Sequence, residues 1–407
     1  MSNTIKTLKD GDVVRKALSI LHNNLVFCNT INKQYNDKFA VSGAKNGGEL
    51  EIRMPNQFTV RSGATLDTQD VTEATSTFTV ATQRGVDINF DSAELTLSMD
   101  DFAERILEPA MTRLAAEVEN IVLTAMYKEV WNMVWTTSGT APVYANVAAA
   151  RAKLAQNLAP TTNRHMLMES ISMNSVTQDV KGLFNKASEI SMQMETGLVG
   201  YMAGFKFHES EMVPVHTNGS TDDTTPICNT STGITSGSTS ITTTGATGAV
   251  TVGDVFTIAD VYDVNPETKE AYSHLKQFSI ATALTTDTTD VFTVSEAPVT
   301  SGAKQNCSLV DAGASKALVF VATGGRGTAS AKMSQNLAYH KDAFSLVTAD
   351  LVMPKGVDFA SRAVLDGIAL RIVRQYDINN DRFPCRIDVL FGQKAVRPQW
   401  ACRLTGD

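Results

Sequence analysis

The sequence predicts an α+β protein with a β-rich insertion, and three stretches predict it. An alternating ribbon spans Leu50 to Leu97, and one long amphipathic helix follows it from Met99 to Trp135. A Thr-, Ser- and Gly-rich region begins near Thr217 and carries a string of short strands toward Gln335. This order is not an alternating βαβ series, which would read as a doubly wound sheet.

The elements follow in chain order. Val13, Val14, Ala17, Leu18, Leu21 and Leu25 recur at helical spacing behind Gly11 and Asp12, so an amphipathic helix of about four turns is expected there. Two readings stand: packing upon its own domain, or an arm reaching another subunit. After the break Lys45-Asn-Gly-Gly48, the residues Leu50, Ile52 and Met54 alternate with Glu51 and Arg53, and a polar tip covers Arg61 to Asp70. Phe78, Val80, Val86, Ile88 and Phe90 form the return. Period-two alternation with such a tip is a hairpin signal. A two-stranded ribbon is marginal alone in water, and its edges invite another chain. The first expectation is therefore assembly.

Ser98-Met-Asp-Asp101 opens the helix in the manner of a capping box. Phe102, Ile106, Ala110, Leu114, Val118, Val122 and Met126 then recur every fourth residue, widened by Ile121 and Ala125. Glu104, Glu108, Arg113, Glu117 and Glu119 mark its wet side, and Pro109 is expected to bend it. Such a helix is roughly 50 Å long. Helix is expected again near Val147–Leu158 and from about Ser172, with a Met-rich strand at His165–Met168 between them. In the Thr-rich region Val250, Val252, Val255, Ile258, Phe278, Ile280, Val291, Phe292 and Val294 supply strand signals and one small core, read as a β-barrel or sandwich. Segments of mixed helix and strand type follow Gln335, and the chain ends in a hairpin: Ile368–Val373, a turn at Asp377–Asp381, and Ile387–Phe391.

Composition narrows the class. The 407 residues are 43% hydrophobic and 19% charged, enough for a sizeable core. A net charge of -8 argues against a protein whose main task is gripping nucleic acid, without excluding one that surrounds it. Five dispersed cysteines (28, 228, 307, 385 and 402) lack CxxC spacing and fit free thiols in a reducing compartment. No apolar run reaches the ~18 residues of a membrane span, and Met1–Asp10 does not read as a signal peptide.

Chemical motifs are weak. Gly324-Gly-Arg-Gly327 lacks the Lys-Ser/Thr of a phosphate loop and reads as a flexible junction. His208 and Glu211, with His216 nearby, lie among strand-like residues, where that spacing puts the pair on opposite faces. Asp377, Asn379, Asp381 and Asp388 imitate a calcium loop, but Arg382 replaces the required Gly, so an Asx-stabilised turn is expected. No catalytic, cofactor-binding or metal residue is assigned, and no enzyme activity is expected.

Three segments in order resemble the major capsid (coat) proteins of tailed double-stranded DNA phages, above all the short-tailed-phage coat family with an inserted β-barrel domain. They are Ala93–Ala115 (AELTLSMDDFAERILEPAMTRLA), Gly253–Lys269 with Leu275-Lys-Gln-Phe278, and Tyr376–Asp381 with Arg386–Gly392 and Val396–Trp400. The resemblance implies the tailed-phage/herpesvirus major capsid protein fold. Its parts are expected as an N-terminal arm (1–48), an extended β-loop (49–97), a peripheral domain with the spine helix (98–145 and 370–407), an axial domain (146–216 and 336–369) and the inserted β-barrel (217–335). It further implies a structural protein that self-assembles, as hexamers and pentamers, first into a procapsid and then into an icosahedral head enclosing double-stranded DNA without sequence-specific binding. The implied partners are scaffolding protein, a portal and a possible decoration protein, but no membrane; the implied site is the virion, after assembly in the bacterial host cytoplasm. The rival readings are the shell of a protein nanocompartment and a β-rich tail or adhesin protein. Three segments in family order favour the capsid.

Overall fold

The computed structural model describes residues 10–36, 49–61, 63–66, 68, 75–91, 107–136, 139–180, 200–221, 227–229, 232–287, 289–310, 315–320 and 331–406. The first half holds α1 (Asp10–Asn24), α2 (Phe27–Thr30), β1 (Asn32–Asn36), β2 (Glu49–Arg53), β3 (Thr75–Thr79), β4 (Thr82–Asp91), α3 (Glu108–Glu129), β5 (Met133–Val134), α4 (Tyr144–Gln156), β6 (Arg164–Met168) and α5 (Ser170–Val180). Strands follow: β7 (Tyr201–Met202), β8 (Phe205–Glu209), β9 (Val215–Thr217), β10 (Ile227–Asn229), β11 (Ser240–Thr244), β12 (Gly248–Val250), β13 (Val255–Val264), β14 (Ala271–Ser279), β15 (Leu284–Thr286), β16 (Thr289–Thr293), β17 (Cys307–Leu309) and β18 (Ser315–Phe320). The last are β19 (Lys332–His340), β20 (Phe344–Ala349), β21 (Phe359–Leu365), β22 (Ile368–Arg374), β23 (Arg382–Ala395) and β24 (Ala401–Gly406). The described residues fall into two compact units, one within the spans 1–52, 75–122 and 345–394, the other within 53–74, 123–344 and 395–407.

The first unit is built on a sheet ordered β1-β20-β23-β22-β21, with β4 also paired to β23. Helix α1 lies on β21 and β22 with Val14, Ala17, Leu18 and Leu21 buried. Of the two readings of this helix, packing upon its own domain is the one observed. The expected ribbon is divided. β2 pairs with β3, but the return strand β4 pairs antiparallel with β23, from Thr82 opposite Phe391 to Asp91 opposite Arg382. Val86 and Ile88 alternate as read, but the strand is satisfied inside its own chain by Ile387 and Cys385.

Helix α3 is shorter than the expected Met99–Trp135. It ends at Glu129, and Met133–Val134 is a strand parallel to β24. Its start signal at Ser98, with Phe102, Glu104 and Ile106, lies outside the described residues. Pro109 stands at the second position of the described α-helix, directly after a π-helical residue, Leu107. Glu119 is not on a wet face. It is buried, and its carboxylate accepts hydrogen bonds from the backbone N–H groups of Val26 (2.7 Å) and Phe27 (3.1 Å), so it caps α2.

The second unit contains two main sheets. One is ordered β5-β24-β19-β6-β8-β7 with β9 on β19. Val147, Ala150 and Leu154 of α4 and Met173 and Val176 of α5 share a core with Met166, Met168, Phe205, Phe207 and Leu404. The other is ordered β14-β13-β18-β10-β11-β16, with β17 on β13. Its core gathers Phe256, Phe278, Phe292 and Phe320 around Ile258 and Leu318. Phe256 meets the other three rings at centroid distances of 5.7 to 6.0 Å. A bridge between Ile280 and Val294, just past β14 and β16, joins the two outer strands.

Two more expectations are corrected. Among the described residues no α-helix follows Gln335; strands β19 to β24 and two short 3-10 turns fill that region. The expected peripheral segment 370–407 also divides. Residues 395–407 fall in the second unit because Ala401, Cys402 and Leu404 fill the gap between β5 and β19.

Phe256→Ala should cost ~3–5 kcal/mol of stability, as expected for a buried aromatic that leaves a cavity, and a urea titration of the soluble subunit followed by fluorescence checks it. Glu119→Ala should cost about 1–3 kcal/mol in the same titration, because one buried and one part-buried backbone donor lose their acceptor.

Candidate functional site: exposed loops and a buried polar seam

The residues that stand out functionally are those no internal contact explains. Between β2 and β3 the chain runs as a loop in which Phe58 is 60%, Val60 98% and Leu66 78% exposed. Pro55 lacks the N–H a ladder needs, so β2 stops at Arg53. The tip is held by Arg61, whose guanidinium donates to the carbonyls of Gly63 and Thr65 (3.1 Å to the latter). Gly63 has φ +90°, a conformation suited to glycine. Three large apolar side chains thus stand exposed on one loop whose tip Arg61 restrains.

A second exposed tip joins β22 to β23. Asp377 Oδ1 accepts from the Asn379 N–H (3.0 Å) and Oδ2 from Asn380 Nδ2 (2.7 Å), while the Tyr376 hydroxyl donates to Asp381 (3.0 Å). This is the expected Asx turn. The carboxylates that imitate a calcium loop are occupied within the turn itself. Asp388 lies elsewhere: it is buried and accepts from Arg371 (2.7 Å) and Arg386 (2.9 Å). Burial opposes its charge, but the two guanidinium groups hold its carboxyl below the usual carboxylate range. Ile378 projects from the tip, largely exposed.

The other sequence motifs do not converge. Glu211 accepts from the Ser170 N–H (3.1 Å). His208 faces His165 at 3.1 Å from the adjacent parallel strand. His216 is buried in a different network. Among the described residues no group of three or more His, Cys, Asp or Glu side chains is arranged to hold a metal. Gly324–Gly327 lies outside the described residues. All five cysteines are free and buried, and burial pushes the Cys228, Cys307 and Cys385 thiols up to about 11. They are inert as nucleophiles at neutral pH.

Sequence reading missed a polar seam in the second unit. Arg403 is fully buried and donates to the Gly253 carbonyl (2.7 Å), with its guanidinium 5.8 Å from the centre of the Tyr127 ring. The Tyr127 hydroxyl meets His216 Nδ1 at 3.1 Å, and His216 Nε2 meets Asp254 Oδ1 at 2.9 Å. Asp254 also accepts from the N–H groups of Gly219 (3.2 Å) and Thr251 (2.8 Å). Gln277 of β14 brackets Met133, accepting from its N–H (2.8 Å) and donating to its carbonyl (3.1 Å). Ser279 donates to the Lys128 carbonyl (2.7 Å) and Tyr272 to the Gln156 carbonyl (3.1 Å). The Thr-rich β-sheet is thus bound to α3, α4, β5 and β24 by directional bonds. Burial pulls Arg403 down to about 10 and pushes Tyr127 above its ordinary value. The one available signal was Arg403 itself, a charge among the apolar residues of the last strand.

Burial, with His208, Lys206, His340 and Lys341 nearby, holds His165 down to about 4; burial and Lys206 also lower His208. Both are neutral in the folded chain at pH values where an unfolded chain, titrating near ~6.5, binds protons. Their stabilising contribution is complete above that value and is lost as pH falls toward 4. The thermal midpoint should drop between pH 7 and pH 4.5, and His165→Gln should flatten that slope.

Solved structures provide a comparison. A chain of Mycobacterium phage Che8 is 11% identical, with TM-score 0.46, over 93% of this chain and 90% of that one. The capsid of Ralstonia phage GP4 is 7% identical, with TM-score 0.46, over 93% and 87%. A virus-like particle from Pyrococcus furiosus is 6% identical, with TM-score 0.42, over 96% and 97%. No curated protein matches the sequence. The family model described as P22 coat protein, gene protein 5, matches residues 6–406, almost the entire chain, and the chain therefore belongs to the P22 coat protein family.

Proposed function

We infer that this coat protein, the shell-forming subunit of an icosahedral phage head, closes its shell by laying the loop between β2 and β3 upon a neighbouring copy. The observation that carries this reading is the exposure of Phe58, Val60 and Leu66 on a tip restrained by Arg61. Burying each such side chain yields on the order of 1.5–3 kcal/mol. One contact is then modest, and repetition around a closed shell makes the whole hard to dissociate.

The finer assignments are extensions of that reading. Residues 217–335 act as an inserted β-barrel that stabilises the folding subunit and faces outward, supported by the four-phenylalanine core and the Ile280–Val294 bridge. Residues 1–48, 49–97, 98–145 with 370–407, and 146–216 with 336–369 serve as arm, extended loop, peripheral and axial regions; the division of 370–407 between the two compact units modifies the third. The role is structural and needs no catalysis. Hexamers and pentamers form on a scaffolding protein in the host cytoplasm, and DNA enters through a portal. A net charge of -8 suits a container whose wall should not hold its cargo, since each phosphate contact adds salt-dependent affinity.

Val60→Asp combined with Phe58→Asp should leave the subunit's melting temperature within ~2 °C of the parent, because exposed sites contribute within about 0.5 kcal/mol. It should abolish closed particles in negative-stain microscopy and leave free subunits in size-exclusion chromatography. Normal shells at normal yield would overturn the assigned role of the loop.

A further inference from the structure

The β-rich part of the second unit encloses one lysine between two carboxylates. Lys276 of β14 places Nζ 3.3 Å from Oδ1 of Asp263, on the adjacent strand β13, and 2.9 Å from Oε2 of Glu296. The Lys276 side chain is 4% exposed, that of Asp263 10% and that of Glu296 27%. The Trp131 ring covers the ammonium, its centroid 5.3 Å from Nζ. His274 Nε2 stands 3.4 Å from Oδ2, the other oxygen of Asp263. The β13–β14 register shifts twice in this stretch, between Thr257 and Tyr262 and again between Tyr262 and Val264. Residues 263 and 276 are therefore not ordinary cross-strand partners, yet their charged ends meet.

Stability alone is a poor reason for this arrangement. Removing one cation and two anions from water costs several kcal/mol per ion, and apolar replacements are often as stable. Burial opposes the Lys276 charge, and Glu296 and Asp263 together hold it above the ordinary lysine range. An amide at the same place would carry no charge and need no counterion. Lys276 Nζ is held 3.3 Å from an oxygen of the Asp263 carboxyl group, and such fixed proximity is what makes an intramolecular reaction effective.

We propose that Lys276 and Asp263 condense to an intramolecular isopeptide bond that staples β13 to β14, with Glu296 carrying the protons. Glu296 Oε2, 2.9 Å from Nζ, first takes one ammonium proton, and the freed lone pair on Nζ then bonds to Cγ of Asp263 as the Cγ–Oδ2 bond breaks. Of the three hydrogens on the ammonium, one stays as the amide N–H. The other two leave with Oδ2 as water, passed by Glu296. The positive and negative charges cancel, so no oxidant, reductant or cofactor is consumed. Asp263 is the acceptor because it lies on a strand already paired with β14, so the bond needs no backbone travel. His274 polarises the departing oxygen. Glu296 is the most exposed of the three, which suits a proton carrier beside an exit for water.

Intact-mass measurement of the full-length protein under denaturing conditions, followed by peptide mapping, tests this. The expected mass is one water below that of the sequence, after allowing for loss of Met1, with the Asp263 and Lys276 peptides recovered as one branched species. Lys276→Arg should restore the full mass, and Glu296→Gln should leave the two peptides separate. Full recovery of separate peptides from the parent protein, as free subunit and as particle, overturns the proposal. So does a water deficit that maps to Asp10-Gly11 or Asp366-Gly367, where aspartate cyclises on its own. Should either variant fail to fold, the parent map alone decides. A Glu296→Gln protein linked as fully as the parent removes Glu296 from the mechanism.

Discussion

The antiparallel ladder between Thr82–Asp91 and Arg382–Phe391 is the constraint on which the first unit rests. It joins an early strand to a late one without a break in register. Closing so long a loop costs entropy that grows only slowly with its length, so a continuous ladder is enough to hold it. The ladder is braced at one point by charge. Asp388 is buried between Arg371 and Arg386, and opposite it stands Gly85. A Cβ on Gly85 would come within 2.5 Å of Asp388 Oδ1, so the strand can carry its ion pairs there only because the facing residue has no side chain.

The second unit solves a related problem by other means. A large β-rich segment needs its own core or it drains stability from the rest of its unit. Phe256, Phe278, Phe292 and Phe320 supply that core. They do not fix how the segment is held. The seam does, through bonds with direction: Arg403 to Gly253, Gln277 to both backbone groups of Met133, and the run from Tyr127 through His216 to Asp254. A buried hydrogen-bonded network tolerates few alternative arrangements, because every displaced member leaves an unsatisfied group behind.

Periodicity made most elements legible. The spacing of Val14, Ala17, Leu18 and Leu21 located α1, and the strand signals at Val255–Ile258, Phe278 and Phe292 located the second core. What periodicity could not supply was partnership. Alternation in Val86 and Ile88 is the same whether the strand pairs with its hairpin neighbour or with β23, and the pairing observed is with β23, from Thr82 to Asp91. Glu119 looked wet because it is charged; its burial follows from two backbone amides at the start of α2 that nothing local announces. The loop after β2 was not singled out, since Phe58 and Val60 continue the period-two pattern of Leu50, Ile52 and Met54 although β2 ends at Arg53. Nor was the seam, because His216, Asp254 and Arg403 are far apart in sequence and each has an ordinary neighbourhood there.

These corrections sharpen the case for assembly. An amphipathic helix and a strand that looked in need of a neighbour are both satisfied internally, by β21 and β22 and by β23. A subunit that left all of them open would aggregate before it could choose a partner. With those faces covered, the loop between β2 and β3 still exposes Phe58, Val60 and Leu66. Weak, few and geometrically fixed contacts are what a closed shell requires, because early misplaced subunits must be able to leave. Strength then comes from repetition, not from any single interface.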